Sequence, residues 1–189
     1  MAISKRKIRR ILQGMKCFKL PYCSVPKDYD VTKNININYC TQCGGECCKR
    51  CGCECSPDDF DDLSFDGLRR EIEKGYISIE CIKGDVIEKI NDSLILRIRN
   101  KNSPIVDYVT RKTECILHTK DGCKLSYEER PSGGKLLIPS NRKEGIFFKR
   151  RCCHSSYSIE ACCYEWSPHQ SVLLNLAWYF IDKDFPCSI

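Results

Sequence analysis

The chain concentrates its cysteines in one short segment, which runs Cys40-Thr41-Gln42-Cys43-Gly44-Gly45-Glu46-Cys47-Cys48-Lys49-Arg50-Cys51-Gly52-Cys53-Glu54-Cys55. Seven of these sixteen residues are cysteines, arranged as a CxxC pair, a vicinal pair and a CxCxC tail. Two thiols at CxxC spacing can bind one metal ion, and soft thiolate donors select zinc, Cu(I) or an iron–sulfur cluster. The segment therefore predicts a metal site that organises the fold.

The cysteine content of the whole chain favours metal ligation over disulfides. There are 17 cysteines in 189 residues, an odd number, and the N-terminus lacks the apolar segment of a secretory signal. The vicinal pairs, Cys47-Cys48, Cys152-Cys153 and Cys162-Cys163, are poor disulfide partners because closing such a ring strains the peptide between them. We therefore expect a reducing compartment and a cytoplasmic location.

Two further cysteines are predicted to complete the metal site. Cys115 and Cys123 flank Thr119-Lys120-Asp121-Gly122, which predicts a hairpin that brings both thiols to a common region. The first hypothesis is one site with these ligands: Cys40, Cys43, Cys47, Cys48, Cys115 and Cys123. The second is a further site that draws on Cys51, Cys53, Cys55, Cys152, Cys153, Cys162 and Cys163.

The spacing leaves the choice of metal open. A structural zinc site and a [4Fe–4S] cluster both take four thiolates, so zinc and an iron–sulfur cluster remain alternatives. Among the histidines, His154 directly follows Cys152-Cys153 and is the best nitrogen candidate, whereas His118 and His169 are interpreted as packed or surface side chains. The isolated cysteines are expected to act as small buried hydrophobes: Cys17, Cys23, Cys81 and Cys187.

The patterning predicts an α+β fold, a small compact cysteine-rich domain organised by metal, with short strands and C-terminal helices. Hydrophobic residues make up 42% of the chain, which is enough for a core and more than a metal-storage peptide needs. Strands are predicted at 34–39, 76–82, 85–90, 94–98 and 105–109. Helices are predicted at 57–74, where four aspartates lie near the start, at 159–166, and after a capping box at Ser167-Pro168-His169-Gln170.

The N-terminus predicts a separate basic helix. Residues 1–20 carry seven Lys and Arg and no acidic residue. Ile8, Ile11, Leu12 and Met15 share one face of a helix over 2–16, which we expect to pack on the domain. Residues 1–30 would then form this helix and a linker, and residues 31–189 the cysteine-cluster domain. Nucleic acid is not expected as a partner, because the arm lacks stacking aromatics, and no apolar run is long enough to span a bilayer.

The motifs resemble a known family. Cys40-x2-Cys43-x3-Cys47-Cys48, an acidic helix start, and Cys115…Gly122-Cys123-x6-Arg130-Pro131 are similar to the CxxCxxCC proteins, the YkgJ-type cysteine cluster family of zinc- or iron-chelating domains. The resemblance covers roughly residues 38–180 and implies metal binding. Where the family continues Arg-Pro-x-x-Cys, this chain has Gly134, so one ligand of the family pattern is absent and another cysteine could replace it.

These observations predict a metal-binding cysteine-cluster protein that holds zinc or an iron–sulfur cluster through thiolates. Two alternatives stay open. One is an iron–sulfur enzyme or a component of a protein lysine methyltransferase system, which some members of the family resemble. The other is a zinc module that binds nucleic acid through the basic arm. The sequence leaves undecided whether the protein is an enzyme, and a protein partner is also left open.

Overall fold

A four-stranded mixed sheet with strand order β1-β3-β2-β4 organises the described part of the chain. The computed structural model describes Gly45 and residues 48–83, 92–108, 113–139, 153–155 and 159–184. The sheet strands are β1 (Glu54–Cys55), β2 (Ile77–Ile82), β3 (Ser93–Ile98) and β4 (Val106–Asp107). Two small two-stranded sheets follow, β5 (His118–Thr119) with β6 (Gly122–Cys123), and β7 (Leu137–Pro139) with β8 (Cys153–Ser155).

Four α-helices complete the described elements: α1 (Phe65–Glu73), α2 (Ser132–Lys135), α3 (Ile159–Trp166) and α4 (Gln170–Asp184). Two 3-10 helices lie at Pro57–Asp59 and Ser167–His169. Helices packed on a mostly antiparallel sheet confirm the predicted α+β class and the C-terminal helices. None of the helices in the described ranges is long and apolar enough to cross a membrane.

Strands β2 and β3 form the buried centre of the sheet, close to the predicted 76–82 and 94–98. They pair antiparallel from Ile77↔Ile98 to Ile82↔Ser93, and β4 adds to β2 in parallel. All six residues of β3 are buried, because helices α3 and α4 pack against it. The predicted strand at 105–109 is shorter in the structure, where it comprises β4 alone.

The predicted helix at 57–74 is divided into two elements. The Asp59 carboxylate accepts a hydrogen bond from the backbone N–H of Ser56 (2.8 Å), which caps the 3-10 turn at Pro57–Asp59. It also accepts one from the backbone N–H of Ser132 (2.9 Å). The chain is then extended at Phe60, and helix α1 begins only after Ser64, whose hydroxyl accepts from Gly67 N. Ser56 begins the 3-10 turn and Ser64 begins helix α1. The segment predicted as one helix from its acidic residues therefore forms two elements, each with a serine cap.

The predicted capping box before the last helix is wrong. Ser167 lies inside a 3-10 turn that connects α3 to α4, with no side-chain cap. The Gln170 side chain instead bonds both backbone groups of Leu94, accepting from N at 2.9 Å and donating to O at 2.7 Å. Strand β1 pairs with β3 at Arg97 and Leu96. Two residues beyond this pairing, the Gln170 side chain supplies the hydrogen-bond partners of Leu94.

Several predicted elements lie outside the described residues. These are the basic helix at 2–16, the boundary at residue 30, and the strands at 34–39 and 85–90. They stay predictions.

Replacing Gln170 with leucine should destabilise the protein by at least about 2 kcal/mol. The substitution removes the partners of the Leu94 N–H and C=O, and each buried polar group left unsatisfied costs about 1–3 kcal/mol. The midpoint of chemical denaturation measures the change. The control is Ser171→Ala on the exposed side of the same helix, which should change stability by less than about 0.5 kcal/mol. Equal stability of the two variants would contradict the role of Gln170.

Candidate functional site

Five cysteines line one cavity of about 270 Å³: Cys48, Cys51, Cys53, Cys115 and Cys123. The walls come from the segment that leads into β1, the end of β3, the β5–β6 hairpin, and the loop and helix at 130–134. Apolar residues, among them Ile98, Leu117 and Leu125, line it as well. The cavity therefore combines soft donor atoms with apolar surface.

Backbone hydrogen bonds join the two cysteine-bearing segments. Cys115 N donates to Cys48 O at 2.7 Å, and Ile98 N donates to Cys53 O at 2.9 Å. The Asn100 side chain, 4% exposed, accepts from Gly52 N at 2.6 Å. The cysteine-rich segment is thereby fixed to the end of β3 and to the residue that starts the hairpin.

The hairpin forms as predicted. Strands β5 and β6 pair antiparallel, with His118 opposite Cys123 and Thr119 opposite Gly122. Cys115, just before β5, and Cys123, in β6, both line the cavity. The structure thus confirms that this hairpin brings the two thiols to a common region.

Helix α2 forms another wall of the cavity. Ser132 N and Oγ both donate to the Asp59 carboxylate, at 2.9–3.0 Å. A Cβ atom on Gly133 would lie 2.5 Å from Glu54 O, so only glycine permits this approach to β1. The Asp59–Ser132 contact is a feature that the sequence analysis missed, because the two residues are 73 positions apart.

Position 134 lies next to a cavity sulfur. A Cβ atom built on Gly134 would be 3.1 Å from Cys53 Sγ. The sulfur of Cys53 therefore borders the space that a side chain at position 134 would enter.

The electrostatics of the cavity favour the protonated form of Cys53 when no cation is bound. Burial raises the pKa of Cys53 well above its ordinary value, and Cys115, Glu54 and Cys123 raise it further by charge repulsion. A metal cation reverses this balance, because it attracts the thiolate form and displaces the proton.

Three other predicted ligands lie in the hydrophobic core. Cys55, Cys162 and Cys163 are at most 2% exposed. The Cys162 thiol donates to Cys55 O at 3.6 Å, and the Trp166 indole N–H donates to the same oxygen at 2.7 Å. Burial raises the pKa of Cys163 to about 11, as it does for Cys81 in strand β2. These thiols pack as small hydrophobes in the described structure.

The remaining predicted ligands cannot be placed from the described residues. Cys40, Cys43, Cys47 and Cys152 lie outside them, and Cys153 and His154 are described as backbone positions of β8. Among the side chains that are described, no three His, Cys, Asp or Glu residues lie close enough together to hold a metal ion. A complete ligand set therefore requires donors from the undescribed segment or a movement of the cavity thiols.

His118, interpreted from the sequence as a packed or surface residue, is packed in the β5–β6 hairpin opposite Cys123. Its side chain is 8% exposed, and Nδ1 is 2.7 Å from Glu114 Oε1. The i, i+4 spacing of Glu114 and His118 around Cys115 was the sequence signal that could have predicted this contact.

No protein-family model, curated protein or solved structure matches this chain. The site is therefore interpreted from its own residues.

Alkylation of the reduced, metal-free protein at pH 8 should identify core thiols by their slow labelling. A pKa near 11 lowers the thiolate fraction of Cys163 about 100-fold relative to an ordinary thiol of pKa 9.0. We expect Cys163 and Cys81 to be labelled at least about 100-fold more slowly than in the denatured protein. Pulse labelling followed by peptide mass spectrometry measures this. Fast labelling of Cys163 in the folded protein would contradict its place in the core.

Proposed function

We propose that this protein is a metal-binding cysteine-cluster protein that holds zinc or an iron–sulfur cluster through thiolates in the described cavity. One observation carries the proposal. Five of the nine cysteines whose side chains are described line the same cavity, although they come from two segments far apart in sequence. Thiols gathered in this way suit zinc, Cu(I) or an iron–sulfur cluster better than hard cations.

The cavity thiols are of the donor type that a thiolate-bound metal needs, but they must move closer together or be joined by further donors to hold it. Cys48, Cys53, Cys115 and Cys123 would supply four sulfurs from two wall segments, and four thiolates suit either zinc or a cluster. Cys40, Cys43 and Cys47 precede Cys48 in the sequence and are the expected source of further donors. When bound, the metal would cross-link the cysteine-rich segment to the β5–β6 hairpin.

The resemblance to the CxxCxxCC family supports the same function. The family pattern has a cysteine where this chain has Gly134, and the sulfur of Cys53 borders the space beside that glycine. We propose that Cys53 supplies the donor that position 134 lacks. This exchange is consistent with the small size of glycine, because any side chain at 134 would compete with Cys53 for the same space.

Anaerobic purification of the full chain, followed by elemental analysis and visible spectroscopy, tests the proposal. We expect at least one zinc per chain in a colourless protein, or iron with visible absorption from a cluster. The double variant Cys115→Ser/Cys123→Ser should lose most of this metal, because a serine hydroxyl is a poor ligand for a soft metal.

The matched control is Cys162→Ala, which removes a core thiol outside the cavity and should keep the full metal content. Circular dichroism of both variants establishes that they are folded. A wild-type protein without metal, or a double variant with undiminished metal, would refute the proposal.

A further inference from the structure

The backbone of Cys115 is held on two sides by neighbouring segments. On one side it pairs with Asn100 in an isolated antiparallel bridge, just beyond the end of β3. On the other side its N–H donates to Cys48 O at 2.7 Å. Cys48 and Cys115 are therefore direct neighbours in the fold, although they are far apart in sequence.

This hydrogen bond places the two cysteines at a separation that a disulfide can bridge. Residues joined by backbone hydrogen bonds in an antiparallel pair have Cα atoms about 5.5 Å apart. Disulfides join residues whose Cα atoms are roughly 4.4–6.8 Å apart. Cys48 and Cys115 also line the same cavity, so both residues border the space in which their sulfur atoms would meet.

The other cavity cysteines are less well placed to pair with Cys115. Ile98 N donates to Cys53 O, so the end of β3 and the residues that follow it lie between Cys53 and Cys115. Cys123 pairs with His118 across the β5–β6 hairpin. Cys48 is the cavity cysteine whose backbone bonds Cys115 directly.

The two residues differ in exposure, which determines the order of an oxidation. Cys115 is 4% exposed, whereas Cys48 is half-buried, so a hydroperoxide reaches Cys48 first. The Cys48 thiolate attacks a peroxide oxygen, the O–O bond breaks, and the leaving oxygen takes a proton to give an alcohol or water. Cys48 is then a sulfenic acid. The Cys115 thiolate attacks its sulfur, the S–O bond breaks, and hydroxide leaves as water with the proton from Cys115.

We propose that Cys48 and Cys115 form a reversible disulfide when a hydroperoxide oxidises the protein, which makes this wall of the cavity a redox-sensitive site. Two thiols and one hydroperoxide give one disulfide, one alcohol or water, and one further water. The inference goes beyond the proposed function and does not require a bound metal. The bridge would close a loop of about 70 residues, and cross-links that close long loops stabilise a fold by constraining its unfolded state.

Peptide mapping of the full chain tests the bridge. The protein is reduced, stripped of metal with a chelator, and treated with hydrogen peroxide, and the remaining thiols are then alkylated. Trypsin leaves Cys115 as the single cysteine of the peptide 113–120 and places Cys48 in the peptide 34–49. We expect these two peptides to be joined in the unreduced digest, with fragment ions that locate the link at Cys48.

The melting temperature gives a second measurement. Oxidation should raise it by about 5 °C or more, and dithiothreitol should reverse both the cross-link and the rise. Cys48→Ser and Cys115→Ser should lose both effects. Cys123→Ser is the matched control, since Cys123 lines the same cavity but belongs to the hairpin, and it should keep both. Circular dichroism establishes that the variants are folded.

The wild-type digest decides the inference even if a variant does not fold. A digest without the cross-link, or with Cys115 joined to a different cysteine, would overturn the inference. A cross-link that dithiothreitol does not reverse, or one that a folded Cys123→Ser variant lacks, would also overturn it. Because the test uses metal-free protein, each of these results leaves the metal-binding function standing.

Discussion

The close approach of two backbones to the segment that leads into β1 is the constraint on which the site depends. On one side, a Cβ atom on Gly52 would lie 1.8 Å from Ile98 O, at the end of β3. On the other side, a Cβ atom on Gly133 would lie 2.5 Å from Glu54 O. Both positions therefore require glycine, and together they hold Cys51 and Cys53 between the sheet and helix α2. Without this close packing the cavity would lose two of its walls.

Buried charge connects the same segment to the centre of the sheet. Arg97 in β3 is 8% exposed and pairs with Glu54 in β1 and with Glu80 in β2, at 2.6 Å from the latter. Burial by itself would lower the pKa of Arg97, but the two carboxylates raise it above its ordinary value, so the guanidinium stays charged. Removing one member would leave an uncompensated buried charge, which is strongly destabilising. Because Glu54 also lines the cavity, the ion pairs stabilise the cavity wall as well as the sheet.

Whether a cysteine lies in the cavity or in the core depends on the groups that pack around it. Cys53 and Cys55 are two residues apart, yet Cys53 lines the cavity and Cys55 is 1% exposed in the core. The Trp166 indole and the Cys162 thiol of helix α3 both bond Cys55 O, whereas Gly134, with no side chain, lies next to Cys53. A thiol is small and weakly polar, so the same residue type suits a core position or a ligand position equally well.

The sequence by itself determined the features that depend on local pattern. Strands β2 and β3, the hairpin that gathers Cys115 and Cys123, and helix α3 all follow from apolar periodicity and from a turn that ends in Gly122. Only the tertiary structure decided the start of helix α1, the role of Gln170, the contact between Glu114 and His118, and which cysteines line the cavity. The Asp59–Ser132 and Gln170–Leu94 hydrogen bonds join residues more than 70 positions apart. Such contacts form only when whole elements pack together, and local pattern carries no information about which distant backbone group a serine, glutamine or cysteine will meet.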